Sequence, residues 1–368
     1  MRIPELTGLR FVAAFAVLIA HAHASSFDPR TDQIGIVGAG ARLAYFGMSL
    51  FFVLSGFVIQ TNYGHIFNSI NLRRACWQFF VARLSRLYPL YALTLVLSLQ
   101  RDAGPFFSDR PGAFIDYLTL TQSWFNMQSL IFQPDWSVST EWFFYLMFVP
   151  LALAVPDRMK RPEIALGLVL ATAPALLAFV LHNREWLDAN VKPLFWHDEK
   201  VSADFWGWVT YFSPYTRSPE FISGVLAGKV VQTYGQKRHR NAVAELTTWC
   251  CAAWCLSIII FANLTKGDIK VLTPNFVFAP AIALFLVAAA RYQTTTGRFL
   301  SCPSVVFLGE ISYSIYMWSW FAIFLTQGHQ GYSVLGFSLS ILLTVAFAAG
   351  SYQLIERPAQ TWLRRKLS

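Results

Sequence analysis

Gly8-Leu9-Arg10-Phe11-Val12-Ala13-Ala14-Phe15-Ala16-Val17-Leu18-Ile19-Ala20-His21 reads as one apolar helix with an ionisable side chain toward each end. Arg10 and His21 are eleven positions apart. At ~100° and ~1.5 Å per residue they share a helix face to within about 20° and stand roughly 16 Å apart. That separation reaches from one bilayer interface to well past the midplane. An ionisable residue inside a span costs roughly 2.5 kcal/mol or more unless it faces the bundle interior, so each is a functional hypothesis by default.

The rest of the chain has the same character. Of 368 residues, 55% are hydrophobic, 16% aromatic and only 13% charged, and the mean hydropathy is +0.44. Such a charge fraction lies far below the soluble range. Runs long enough to cross about 30 Å of hydrocarbon fall near residues 8–24, 43–61, 79–99, 138–155, 163–182, 218–234, 246–264, 274–290, 304–326 and 333–355. The expected fold is an all-α polytopic membrane bundle of about ten transmembrane helices. The sixth run is the weakest, because Pro219, Gly224 and Gly228 interrupt it, and a re-entrant segment is an alternative there.

An even number of spans puts both termini on one side. With the N-terminus inside, the inner connections hold Arg73, Arg74, Arg83 and Arg86, then Arg158, Lys160 and Arg161, then Lys237, Arg238 and Arg240, then Arg291 and Arg298, and finally Arg364, Arg365 and Lys366. The outer connections balance their cations with acids, as in Arg101, Asp102, Asp109, Arg110 and Asp116. The positive-inside pattern supports both the span count and an orientation with cytoplasmic termini. The net charge of +9 is then a topology signal; nucleic-acid binding needs a basic soluble face, and none is expected.

Five cysteines, Cys76, Cys250, Cys251, Cys255 and Cys302, form no C-x-x-C pair, so neither a disulfide framework nor a metal site is indicated. The chain reads as a single membrane domain over 1–368 without an appended soluble domain. The connections 100–135 and 183–217 are too long for turns and read as a lid or acceptor-facing surface. Gly224-Val225-Leu226-Ala227-Gly228-Lys229 is one residue short of a phosphate-binding loop and reads as a small-x-x-x-small packing face.

From Gly8-Leu9-Arg10 through His21, then Phe46-Gly47-Met48-Ser49-Leu50-Phe51-Phe52-Val53-Leu54-Ser55-Gly56-Phe57, the chain resembles the opening of membrane acyltransferase family 3. Phe80-Val81-Ala82-Arg83-Leu84-Ser85-Arg86-Leu87-Tyr88-Pro89 is similar to the family's R-x-x-R segment, and Trp136-Ser137-Val138-Ser139-Thr140-Glu141 to its W-S-x-x-x-E segment. Arg217-Ser218-Pro219-Glu220-Phe221, Gly309-Glu310-Ile311-Ser312-Tyr313-Ser314-Ile315-Tyr316 and Ile355-Glu356-Arg357-Pro358 resemble later signatures, in family order. The resemblance implies transfer of an acyl group, usually acetyl, to a hydroxyl of a sugar, polysaccharide, lipopolysaccharide, lipid or secondary metabolite. It associates Arg10, His21, Arg83 and Arg86 with activity and makes Glu141 a further candidate. The chain departs from many members at Trp142, where a second acid is common, and at Ser319, where a histidine is common.

The chemistry can be read beside that resemblance. On the expected topology Arg10, Arg83 and Arg86 lie at cytoplasmic ends of spans, while His21 and Glu141 lie toward outer ends. A cytoplasmic acyl-coenzyme A, acetyl-CoA above all, carries phosphates that guanidinium groups bind well, and its pantetheine arm spans much of the Arg10 to His21 distance. Arg83 and Arg86, at i and i+3, share a helix face. Imidazole alone has an unperturbed pKa near neutrality, about 6.5, so His21 is the expected general base, with Glu141 orienting the ring as the acid of a triad does. An acyl-histidine intermediate is a variant of this scheme. Trp136 and Ser137 are acceptor-site candidates, Trp136 through stacking on a sugar ring.

Each residue also has a structural reading. Arg10, Arg83 and Arg86 suit interfacial anchors; His21 suits a hydrogen bond within a bundle; Glu141 suits a first-turn acid with Ser137 or Ser139 as cap; the Trp-rich stretches suit an aromatic belt. The alternative function is a secondary transporter of a polar or anionic small molecule, although such folds usually show paired broken helices, and one interrupted span appears here. The expected partners are acyl-CoA, the bilayer, and a glycan, lipopolysaccharide or small-molecule hydroxyl acceptor.

Overall fold

Helix α1, Pro4–Ser26, is followed by α2 (Ile36–Tyr63), α3 (Leu72–Ser98), α4 (Asp135–Ala154), α5 (Pro162–His182), α6 (Pro214–Tyr234), α7 (Ala242–Phe261), α8 (Ala279–Arg291), α9 (Thr295–Leu300), α10 (Pro303–Glu310), α11 (Ser312–Gln327), α12 (Val334–Ser351) and α13 (Arg357–Leu367), with shorter helical turns between. This is a computed structural model, and it describes residues 3–26, 36–69, 71–99, 111–125, 134–155, 159–195, 205–237, 239–261, 276–327 and 333–367. Among these, all repeating structure is helical, apart from an isolated bridge between Arg240 and Gln293. Most of the 100–135 connection, residues 196–204 of the other long connection, and Arg158 and Arg238 lie outside the described residues.

The protein is an all-helical polytopic membrane protein. Each of the ten expected runs falls on helix, and among the described residues seven helices are long and apolar enough to cross a membrane. Three runs differ from expectation. Residues 218–234 lie in α6, which is continuous through Pro219 but carries Arg217, Glu220 and Lys229. Residues 274–290 give α8, only 13 residues long. Residues 304–326 divide into α10 and α11 at Ile311.

Chain contacts group the molecule into two units: Met1–His65, Asp157–Leu170 and Glu220–Gln353 form the first, and Ile66–Pro156, Ala171–Pro219 and Leu354–Ser368 the second. In the first unit α1 is the hub, in contact with α2, α9, α10, α11 and α12. Ala13, Ala14, Leu18 and Ala22 are all fully buried, the pattern of a helix enclosed by others. Gly47 of α2 lies so close that an added Cβ would stand 2.7 Å from the Ala13 carbonyl oxygen and from Val17 Cγ2.

Small residues also seat α2 against the part of α6 in this unit. Gly224 of α6 presses on the Val53 carbonyl, Gly228 on the Phe57 carbonyl, and Gly56 of α2 on the Phe221 carbonyl. The expected small-x-x-x-small face is therefore a real packing surface, and it lets two backbones approach where apolar side chains gain nothing over lipid. Two hydrogen bonds cross the seam: Gln60 Nε2 donates to Gln232 Oε1 at 3.0 Å, and Gln232 Nε2 donates to the Gln60 backbone carbonyl at 3.1 Å.

In the second unit, α3 and α4 pack through aromatic rings. Phe79 lies 5.4 Å from Phe148 and 6.1 Å from Tyr145, centroid to centroid. Asn71 caps α3 by accepting from Arg73 N at 2.9 Å, and helix α13 packs along α3. The start of α4 is fastened by hydroxyl groups: Ser139 Oγ donates to the Leu120 carbonyl and accepts from Ser123 Oγ, both at 2.8 Å. With water absent from a bilayer core, each such group needs a partner within the protein.

Candidate active site

Arg10 and His21 both lie on α1 and both are partly buried. Measured from Arg10 at ~100° per residue, Val17 stands near −20°, His21 near 20° and Ala14 near 40°. Val17 meets Gly47 of α2, and Ala14 packs with Ile311 and Ile315. The two polar residues thus end an apolar stripe of α1 flanked by α2 on one side and the α10–α11 arm on the other. Among the described residues neither has a hydrogen-bond or ion-pair partner.

The opposite side of α1 is different. Leu9 and Val12, ~120° and ~180° from His21, help line an apolar cavity of about 590 Å³ with Leu50, Cys255, Ile282 and Phe299. Among the described residues its lining carries no charged group and does not include Arg10 or His21.

A second polar feature of this unit joins α2 to α6. Ser49 Oγ donates to Glu220 Oε1 at 2.6 Å, with both residues fully buried. A carboxylate beside Pro219 within an otherwise membrane-length helix was the available signal. Ser319 is 1% exposed and donates to the Tyr316 carbonyl at 2.7 Å.

The remaining predicted site residues belong to the second unit. Arg83 is 6% exposed, and its guanidinium carbon stands 5.8 Å from the Tyr145 ring centroid. Arg86, one turn on, is partly buried. The Tyr145 hydroxyl donates to Glu141 Oε1 at 2.5 Å, spanning i to i+4 on α4. Arg83, Arg86 and Glu141 all lie within electrostatic reach of that hydroxyl. Arg83, Tyr145 and Glu141 therefore form one cluster, which sequence reasoning missed because it left Tyr145 unassigned.

This cluster corrects the expected separation of Arg83 and Glu141 across the membrane. Helix α3 starts at Leu72, earlier than hydropathy indicates, so Arg83 lies about 16 Å inside a helix about 40 Å long. Helix α4 starts at Asp135, which puts Glu141 in its second turn. The first-turn, capped reading of Glu141 does not hold either: the N-cap position is Pro134, without a side-chain cap, and Ser137 Oγ donates to the Pro134 carbonyl at 2.9 Å.

The acceptor candidates Trp136 and Ser137 are each 5% exposed. Trp136 packs 5.3 Å from Tyr211 and 5.1 Å from Phe212. Trp208, also 5% exposed, donates its indole N–H to the Ser123 carbonyl at 2.8 Å. These aromatics fasten the start of α4 to neighbouring segments of the same unit.

A family model described as an acyltransferase domain, that of acyltransferase family 3, matches residues 3–353. The chain belongs to the acyltransferase 3 family. It is similar to the acyltransferase MdmB of Streptomyces mycarofaciens, at 27% identity over 397 residues covering 100% of this chain and 94% of that protein. It is also similar to the O-acetyltransferase OatA of Staphylococcus aureus (strain NCTC 8325 / PS 47), at 22% identity over 379 residues. That match covers 97% of this chain and 57% of OatA, so the chain spans little more than half of that relative. No solved structure matches the chain significantly. Membership decides between the two classes left open by the sequence: this is a multi-pass membrane acyltransferase, and the transporter alternative falls.

Proposed function

We propose that this acyltransferase 3 protein moves an acetyl group from cytoplasmic acetyl-CoA, or another acyl-CoA, to a hydroxyl of a glycan or glycan-like acceptor, with His21 as general base. The observation that carries the reading is the placement of Arg10 and His21 on one flanked face of α1, the hub helix of its unit. An imidazole without a partner among the described residues keeps a nitrogen for the acceptor. The acceptor oxygen attacks the thioester carbonyl carbon while His21 takes its proton. The carbon–sulfur bond then breaks, and the proton passes from the imidazolium to the departing coenzyme A sulfur.

Arg10 supplies a guanidinium group for the phosphates of the donor, a recognition task that suits its planar fork, and Arg83 and Arg86 are kept as donor-binding candidates on the family resemblance. Glu141, the second catalytic candidate, is engaged by Tyr145, and its part in this reading is to help hold Arg83 rather than to complete a triad. Trp136 and Ser137 are retained as acceptor-side candidates through their place at the start of α4. The resemblance of Glu141-Trp142-Phe143-Phe144-Tyr145 to exopolysaccharide-modifying members favours a glycan. The proposed setting is a bacterial inner membrane with both termini cytoplasmic, which puts the basic connections inside.

The test is acetyl transfer from labelled acetyl-CoA by the purified protein in lipid, with a panel of glycan acceptors. Label on a glycan hydroxyl, lost in His21→Ala, supports the reading. Label transferred at the wild-type rate by His21→Ala would remove the general-base assignment.

A further inference from the structure

Helix α13 carries several cations and no acid. At ~100° per residue, Ala359, Gln360 and Leu363 fall within about 100° of one another, and these three are partly buried on a helix that packs along α3. Trp362, Arg365 and Lys366 share a second arc of about 100°, and all three are exposed. Trp362 is 57% exposed, and the Lys366 ammonium, one turn on, stands 4.6 Å from its ring centroid. The start of α3 has the same make-up. Arg73 and Arg74 are exposed in its first turn, and Trp77, one turn on, is 55% exposed. At ~1.5 Å per residue α3 is about 40 Å long, roughly 10 Å more than the hydrocarbon it crosses, so its polar end stands clear of the core. The far part of α3, from Leu87 to Ser98, has no charged side chain. Packing α13 there would draw its cations into hydrocarbon, so the two cationic stretches belong at one interface. Among the described residues, Arg73, Arg74, Arg365 and Lys366 have no ion-pair partner.

We propose that Arg73, Arg74, Arg365 and Lys366 form a binding surface for the headgroups of anionic phospholipids, with Trp77 and Trp362 seated at headgroup level. Tryptophan prefers that level of a bilayer, and a cation one turn away meets the lipid phosphates. Four cations beside the end of a span suffice for a local preference for anionic over zwitterionic lipid. In the proposed orientation the lipid belongs to the cytoplasmic leaflet. The surface uses none of the residues assigned to the donor or the base, so it stands or falls apart from those assignments.

The experiment titrates the full-length protein in detergent with dioctanoyl phosphatidylglycerol or dioctanoyl phosphatidylcholine and counts bound lipid by native mass spectrometry. Wild type is compared with Arg73→Gln/Arg74→Gln, with Arg365→Gln/Lys366→Gln, and with Lys237→Gln/Arg240→Gln, which removes two exposed cations from another basic connection. Thermal midpoints verify that each is folded. Wild type should bind phosphatidylglycerol more tightly than phosphatidylcholine. At about fivefold per cation, each patch pair should weaken phosphatidylglycerol binding by about 25-fold, while the pair at 237 and 240 stays within about twofold of wild type. Equal affinity of the wild type for the two lipids overturns the anionic preference. Equal losses in all three pairs make the effect one of net charge and overturn the local surface. Displacement of the bound lipid by acetyl-CoA would give these cations to the donor and overturn the lipid assignment.

Discussion

Ser49 of α2 donates its hydroxyl to Glu220 of α6 at 2.6 Å, and neither residue exposes any surface. The bond bridges 171 positions of sequence and lies in the seam where Gly56, Gly224 and Gly228 bring the two backbones together. A buried carboxylate is tolerable only with partners, and the close approach of the helices brings the Ser49 hydroxyl within reach. Removing that hydroxyl therefore acts on a carboxyl group that has no access to water.

Ser49→Ala is expected to lower stability by about 1–3 kcal/mol, the range for removing one partner of a buried hydrogen bond. Ser49→Thr, which keeps a hydroxyl, should recover part of the loss. Thermal unfolding in a defined detergent measures both. An unchanged midpoint for Ser49→Ala would show that Glu220 does not depend on this donor.

Gly224→Ala places a Cβ against the Val53 carbonyl, a backbone atom that cannot step aside. Overpacking of this kind costs about 1–3 kcal/mol. Gly167 of α5 has open space where a Cβ would go, so Gly167→Ala should be neutral or stabilising by about 0.5–1 kcal/mol. Midpoints measured side by side should move in these different directions; equal losses at both sites would contradict the packing account.

Gln60 and Gln232 exchange two hydrogen bonds across the same seam. In a double-mutant cycle with methionine at each position, coupling of about 0.6 kcal/mol is expected, the average for polar contacts between membrane helices. A coupling of zero would mean that the two amides find equally good partners apart.

The sequence made the fold class plain because hydropathy reports on each segment separately, and each of the ten expected runs carries helix among its described residues. It was less informative where tertiary contact or helix ends decide. Residues 304–326 are apolar throughout, so a hydropathy window cannot see the break at Ile311, beside which Gly309 presses its backbone on Thr7 of α1. Helix α3 begins at Leu72 because Asn71 caps it, but Arg73, Arg74 and Gln78 depress the hydropathy of that turn and hide the start.

The same division holds for the site. That Arg10 and His21 share one side of α1 was legible, because helical periodicity relates them. The Glu141–Tyr145 bond was legible in principle, being an i,i+4 pair, but its meaning depends on Arg83 arriving from another helix. Ser49 and Glu220 could not be paired from local pattern at all, since only the crossing of α2 and α6 joins them.

The central claim, that α1 carries both donor recognition and the base, is tested by release of free thiol from acetyl-CoA by the purified protein in lipid. Wild type is compared with Arg10→Ala and His21→Ala, with labelled-donor binding recorded in parallel. The account predicts slow thiol release by wild type, lost in both variants, with weakened binding in Arg10→Ala and near-normal binding in His21→Ala. Thiol release at the wild-type rate by folded Arg10→Ala and His21→Ala proteins would contradict it.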